Sequence, residues 1–234
     1  MVTYLFIIMA LLFAIEASTA LARKAGYLME KPESGLILQS SLSLMSRLLI
    51  FMFMPLIGAL SDKGSVYENI SELLFGYLII PFFLLAIYIC RVKILTLYYI
   101  LTTRMLSNGS FFKSVKLDKV ATSLKIKKNK PIYKKFISLY MLVIIAYIPY
   151  YLAWPSIMVL IDIYPENRGF LLGMSSVLNG FNTIILTIFV DPKLVQIGKQ
   201  KRLIINLYDD LILLRFVASL ISFFILALSI FFLG

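Results

Sequence analysis

Residues 35–60, GLILQSSLSLMSRLLIFMFMPLIGAL, form a run in which Arg47 is the only charged side chain. A helix of about 20 apolar residues crosses the roughly 30 Å of hydrocarbon in a bilayer, so this run predicts a transmembrane helix. The whole chain is similarly apolar, because 61% of its 234 residues are hydrophobic, against about 45–50% in a soluble domain. We therefore expect an integral membrane protein.

Five further stretches have a comparable length and composition, at residues 2–22, 70–90, 136–161, 169–190 and 211–233. The first of them carries Glu16 and has no basic residue ahead of its apolar run, which is typical of a retained span rather than of a signal peptide. The sequence therefore predicts an all-α fold, a polytopic integral membrane protein with six transmembrane helices. Residues 1–234 are expected to make a single transmembrane domain.

The basic residues are distributed unevenly over the five loops between these spans. The first, third and fifth loops hold three, twelve and four Lys and Arg side chains, whereas the second and fourth hold only Lys63 and Arg168. Since positively charged loops stay in the cytoplasm, this split of nineteen against two predicts that both termini lie outside. The N-out/C-out topology places a basic loop, at about residues 91–135, in the cytoplasm.

That basic loop divides into two parts. Residues 91–106 have the composition of a helix that either prolongs the third span or lies in the membrane interface. Residues 113–135 hold nine lysines against one acid, Asp118, and each basic residue near anionic headgroups adds about 1 kcal/mol of attraction. We expect anionic membrane phospholipids, and no nucleic acid, as partners of this segment. A role in topology alone is the alternative.

Some classes of protein are excluded by the residues that the sequence lacks. The chain contains no histidine, one cysteine (Cys90) and no Walker-type phosphate-binding loop. The usual zinc sites, disulfides within the chain and histidine-based catalysis are therefore excluded, as is ATP hydrolysis by a P-loop. With no cluster of acids inside the spans, we do not expect an enzyme, a metal site or a cofactor.

Three ionisable side chains, Glu16, Arg47 and Arg215, lie inside the predicted spans, where such groups are costly and mark a function or a buried pair. Glu16 and Arg215 have a similar depth, so a structural ion pair and a role in binding protons or substrate are both open. Arg47 lies near the bilayer midplane and continues a polar stripe from Gln39 and Ser43. It predicts contact with an anion such as a pyrophosphate, or else a buried partner such as Glu16.

The fifth span carries a second polar stripe. Ser175, Asn179 and Asn182 fall on one side of a helix, which is typical of a polar path and also of hydrogen bonding between helices. Prolines in or near the second, third and fourth spans favour the broken helices that surround a transporter's cavity. An aromatic cluster in the fourth span is typical of the belt at the outer membrane interface; it comprises Tyr147, Tyr150, Tyr151 and Trp154.

Three stretches of the chain resemble the Amj family, the alternate lipid II flippases of bacterial cell-wall synthesis. They are residues 16–26 (EASTALARKAG), 41–62 (SLSLMSRLLIFMFMPLIGALSD) and 175–192 (SSVLNGFNTIILTIFVDP). The RFVAS run that begins at Arg215 is similar to the family's final span. One departure is Ile50, which stands where the family pattern leads us to expect a polar residue.

The resemblance implies a multi-pass protein of the bacterial plasma membrane. Its expected function is to move lipid II, the undecaprenyl-pyrophosphate-linked peptidoglycan precursor, from the inner to the outer leaflet. A secondary transporter of another anionic or lipid-linked solute is the alternative, and association into a homo-oligomer is left open. The residues expected to bind substrate are Glu16, Arg23, Ser43, Arg47, Ser175, Asn179, Asn182 and Arg215.

The topology can be tested with single cysteines on a Cys90→Ser background, because Cys90 is the only natural cysteine. Lys125→Cys lies in the basic loop and should react with an impermeant thiol reagent only after the cells are opened. Lys63→Cys, in an outer loop, should react in intact cells and serves as the matched control. Labelling of the Lys125→Cys variant from outside intact cells would contradict the N-out/C-out topology.

Overall fold

The computed structural model describes residues 2–61, 70–109 and 134–233, and over these ranges the chain is all-helical, with no strand. Short 3₁₀ turns at Lys134–Phe136 and Pro165–Asn167 precede the fifth and sixth α-helices, and a π-helical turn at Leu186–Val190 follows the sixth. The α-helices are α1 (Val2–Leu28), α2 (Pro32–Ser61), α3 (Ile70–Ile89), α4 (Arg91–Asn108), α5 (Ile137–Ile163), α6 (Arg168–Ile185), α7 (Asp191–Gly198) and α8 (Lys201–Leu233).

Within the described residues, six helical stretches are long and apolar enough to cross a membrane. This confirms the expected number of spans and indicates a multi-pass membrane protein. Five stretches coincide with α1, α2, α3, α5 and α8, and the sixth, Pro165–Gly198, runs through α6, the π-helical turn and α7. Several spans are longer than the sequence indicates, since Arg23 and Lys24, assigned above to the first loop, are helical residues of α1.

The orientation of the spans stays a prediction. Residues 113–133, which make up most of the lysine-rich part of the basic loop, lie outside the described residues, and so does Lys63.

α1 is the central helix of the bundle and packs against α2, α3, α4 and α8. Most of its apolar residues are buried, from Phe6 through Phe13 to Leu21, whereas Ile7 and Leu11 are exposed. A helix that is apolar on all sides is expected to be enclosed by others. Small buried residues such as Ala17 and Ala25 let the neighbouring backbones approach closely.

A tight turn joins α1 to α2. Glu30 adopts the left-handed conformation, with φ 61°, and the Lys31 N–H donates to the Gly26 carbonyl at 3.0 Å, as in a Schellman motif. A Cβ on Gly26 would lie 2.8 Å from the Cα of Gly35, so the two helix backbones touch at this point. The contact fixes α2 alongside α1 and thereby orients the polar stripe of α2.

Residues 91–106, expected from sequence to be helical, lie within α4, which is a separate helix. The chain turns at Cys90, and α4 packs against α1. The hydroxyls of Tyr98 and Ser18 are hydrogen-bonded at 2.6 Å, and burial raises the pKa of the Tyr98 phenol. A straight prolongation of α3 is therefore wrong, whereas a position in the membrane interface stays a prediction.

An ion-pair cluster joins α1, α4 and α8. Lys24 is only 2% exposed, and its Nζ lies 2.6 Å from Asp209 Oδ1. The other carboxylate oxygen of Asp209 lies 3.8 Å from Arg91 Nε. A buried ammonium group is tolerated only when it is paired, so this cluster fixes one end of the bundle.

Candidate functional site

The polar residues of the spans meet around one cavity of ≈ 290 Å³. Side chains of α1, α2, α5, α6 and α8 line it, so it lies inside the bundle and is not a feature of a loop. Six of the eight residues expected to bind substrate are among the lining residues: Glu16, Ser43, Arg47, Asn179, Asn182 and Arg215.

The other two expected residues lie elsewhere. Arg23 lines a smaller adjoining cavity of ≈ 90 Å³. Ser175 lines neither cavity, because it is buried and its hydroxyl donates to the Leu172 carbonyl of the same helix at 2.7 Å. The structure thus gives Ser175 a local role, and it gives Arg23 a place next to the main cavity.

Arg47 is the exposed cation of this cavity. It lies near the middle of α2, and within the described residues it makes neither a hydrogen bond nor an ion pair. Arg47 therefore makes no direct bond to Glu16 in this structure, although the two charges attract each other. A guanidinium that faced hydrocarbon would cost several kcal/mol, so the cavity has to supply water or an anion.

The Glu16 carboxylate is held by two neutral hydrogen-bond donors. Its carboxylate accepts hydrogen bonds from the Tyr150 hydroxyl and from Ser46 Oγ, the latter at 3.2 Å. Tyr150 reaches Glu16 because Phe13 of α1 packs edge-on against the Tyr150 ring, with centroids 5.1 Å apart. The carboxylate is thereby fixed at the cavity wall.

Arg215 contacts Glu16 through the backbone. Its Nη1 donates to the Glu16 carbonyl oxygen at 2.5 Å, and its guanidinium lies over the Tyr147 ring, 4.5 Å from the centroid. Among the described ion pairs there is no direct contact between the two side chains, but their charges attract each other across the cavity wall. The shared depth of the two residues is nevertheless reflected in a direct contact.

The aromatic cluster of α5 is inside the bundle. Tyr147, Tyr150, Tyr151 and Trp154 are all buried, and three of them, Tyr147, Tyr150 and Trp154, line the cavity. The interpretation as an outer interface belt is wrong because α5 is one of the more enclosed spans of the bundle, with 61% of its apolar window buried.

Three buried polar atoms beside the cavity have no hydrogen-bond partner among the described residues: the Oδ1 atoms of Asn179 and Asn182 and the Nε of Arg215. An unpaired polar group in an apolar environment costs free energy, and native structures rarely leave one unsatisfied. Water or a ligand inside the cavity would satisfy the hydrogen-bonding capacity of these atoms.

The smaller cavity continues the larger one. The two share five lining residues: Thr19, Gln39, Tyr147, Leu186 and Arg215. In the smaller cavity, Arg23 Nη1 lies 2.7 Å from Asp191 Oδ1, and Arg23 Nε donates to Gln39. Asp191 begins α7, directly after the π-helical turn. Arg23 thus makes a direct ion pair with a carboxylate, whereas Arg47 makes none with a described residue.

The large cavity separates α2 from α6. α2 packs on α1 and α6 packs on α5, whereas α2 and α6 make little contact with each other over the described residues. Both helices also carry exposed apolar side chains, such as Leu48 on α2 and Val177 on α6, which suit contact with lipid tails. A polar interior between two lipid-compatible helices can receive a molecule from the side.

Sequence reasoning missed Tyr150 and Asp191 as partners of charged residues. Asp191 follows the polar stripe of the fifth span in the chain, which is a usable signal. The sequence contains no comparable signal for Tyr150, because the hydrogen bond between Tyr150 and Glu16 depends on how α5 packs beside α1.

Comparison of the chain with protein-family models, curated proteins and solved structures gives no match.

The Tyr150 hydroxyl can be tested by Tyr150→Phe, which leaves the Glu16 carboxylate with one fewer donor. Loss of a hydrogen bond to a charged group costs about 1.5–3 kcal/mol, which predicts a fall in Tm of about 5 °C for a chain of this length. The measurement is thermal unfolding of the purified protein in detergent.

Two further variants test whether the lost hydrogen bond to Glu16 causes the fall in Tm. Tyr147→Phe keeps a ring beneath Arg215 and should unfold near the wild-type Tm. Glu16→Gln on the Tyr150→Phe background should recover part of the loss, because the stranded charge is gone. Equal unfolding temperatures for wild type and Tyr150→Phe would show that this hydrogen bond does not stabilise the protein.

Proposed function

We propose that the protein is a lipid II flippase, which translocates the undecaprenyl-pyrophosphate-linked peptidoglycan precursor from the inner to the outer leaflet of the bacterial plasma membrane. The observation that carries the proposal is the Arg47 guanidinium, which faces a polar cavity halfway along a membrane-spanning helix and makes no direct bond to a described residue. A permanent cation in that position selects an anion that has to cross the membrane.

A pyrophosphate suits this cation. The planar guanidinium fork donates two parallel hydrogen bonds to phosphate oxygens, and a second guanidinium, that of Arg215, faces the same cavity. Asn179 and Asn182 add amide groups that can replace water around a polar headgroup. Each replaced hydrogen bond lowers the cost of taking that headgroup through the hydrocarbon layer.

The lipid tail fits the lateral cleft between α2 and α6. A polyprenyl chain would cost free energy in water and none in lipid, so it is best left outside the protein while the headgroup moves. The exposed apolar side chains of α2 and α6 permit this arrangement.

The proposal agrees with the distribution of the Amj-like stretches. Residues 16–26, 41–62 and 175–192, together with Arg215, supply most of the charged and amide groups of the cavity. The basic loop would contact anionic phospholipids of the inner leaflet.

The test is reconstitution of the purified protein in vesicles with labelled lipid II, measuring headgroups that become accessible across the bilayer per folded molecule. Arg47→Ala should abolish translocation at unchanged protein abundance, because the anion loses its cation. Arg47→Lys keeps the charge without the fork and should retain part of the activity.

The matched control is Arg202→Ala, which removes one positive charge from an exposed position outside the cavity. It should translocate lipid II at the wild-type rate. Normal translocation by Arg47→Ala would refute the role of Arg47. Wild-type protein that moves another anionic solute but not lipid II would favour the secondary transporter.

A further inference from the structure

The space around Arg47 is small for the cargo. At ≈ 290 Å³, the cavity lies at the lower limit of the roughly 300–1,000 Å³ found for pockets that hold drug-sized molecules. The headgroup of lipid II, with two sugars and five amino acids beyond its pyrophosphate, is larger than such a molecule. The cavity therefore encloses a part of the headgroup and not all of it.

The charges of the cavity indicate which part. The Glu16 carboxylate accepts hydrogen bonds from Tyr150 and Ser46, whereas the Arg47 guanidinium makes no direct bond to a described residue and Arg215 adds a second positive charge to the same cavity. Two guanidinium groups match the two phosphates of a pyrophosphate better than one phosphate group.

The aromatic rings of the cavity are engaged with protein groups. Trp154 packs edge-on against Phe53, with centroids 5.2 Å apart and planes at 81°. Tyr150 packs against Phe13, and the Tyr147 ring is covered by Arg215. Sugar rings are bound most readily by free aromatic faces. All three rings pack against protein groups, and the face of Tyr147 is covered by a guanidinium.

We infer that the cavity recognises the polyprenyl pyrophosphate group itself and makes no selective contact with the sugars or the peptide attached to it. The inference rests on the proposed function and narrows its substrate class: any polyprenyl pyrophosphate binds, with or without a glycan. The pyrophosphate is held at Arg47 while α2 and α6, which make little contact, separate to pass the remainder of the headgroup.

Trp154 provides a reporter for this binding. It is the only tryptophan of the chain, and it lines the cavity, so the intrinsic fluorescence of the whole protein reports on this site. The full chain in detergent is titrated with farnesyl pyrophosphate, farnesyl monophosphate, inorganic pyrophosphate and a lipid II analogue on the same farnesyl chain. Retention of radiolabelled ligand gives a second measurement that does not depend on fluorescence.

We expect farnesyl pyrophosphate and the lipid II analogue to bind with Kd values that agree within about threefold, a difference below 1 kcal/mol. Arg47→Ala should raise both Kd values by about tenfold or more, the loss expected for charge-assisted hydrogen bonds. The Kd values of Arg47→Lys should lie between those of the wild type and of Arg47→Ala, and Arg202→Ala should bind both ligands as the wild type does. Farnesyl monophosphate and inorganic pyrophosphate should bind more weakly than farnesyl pyrophosphate.

The outcomes separate the inference from the function. Binding of the lipid II analogue with much weaker binding of farnesyl pyrophosphate would overturn the inference and leave the flippase intact. Binding of farnesyl pyrophosphate alone would overturn the inference that an attached glycan makes no difference and would also refute lipid II as cargo, and binding of neither would refute both. Inorganic pyrophosphate that binds as tightly as the farnesyl compound would overturn recognition of a lipid-linked group.

Discussion

A guanidinium group cannot lie in hydrocarbon without water or an anion beside it, and the position of Arg47 near the middle of α2 imposes this condition on the bundle. The condition is met by a cavity whose walls carry hydroxyl, amide and charged groups from five helices. The same condition is consistent with the small contact between α2 and α6, since two purely apolar spans would be expected to pack against each other. The polar interior is the consequence of a charge that no described residue neutralises.

Four other charged groups inside the bundle, those of Glu16, Arg23, Lys24 and Arg215, make direct ion pairs or hydrogen bonds, whereas Arg47 makes none with a described residue. Lys24 is bound to Asp209 and Arg23 to Asp191, and both pairs involve α1. α1 is also the enclosed helix, fixed to α2 by the contact between Gly26 and Gly35. A rigid wall of this kind keeps the acceptors of Glu16 satisfied, so that the carboxylate does not compete for Arg47.

Much of the site could be predicted because helical spacing and the cost of charge in a membrane both act within a single helix. Asn179, Asn182 and Arg47 line the cavity for those reasons. The partners could not be predicted, since the bond between Glu16 and Tyr150 joins residues 134 positions apart and depends on tertiary packing. Ser175 lies on the expected stripe, but serine in a helix often bonds to the carbonyl of a preceding turn, as Ser175 does to Leu172.

The central claim is that the headgroup passes between α2 and α6, and a reversible bridge across that cleft tests it most directly. Ser43→Cys and Thr183→Cys, on a Cys90→Ser background, place one thiol on each wall of the cavity. After reaction with a reducible bifunctional thiol reagent, the account predicts loss of lipid II translocation in vesicles and its recovery on reduction. Each single-cysteine variant, treated in the same way, measures the effect of modifying one wall of the cavity alone and should lose less translocation than the bridged protein. Undiminished translocation by the fully bridged protein would contradict the account.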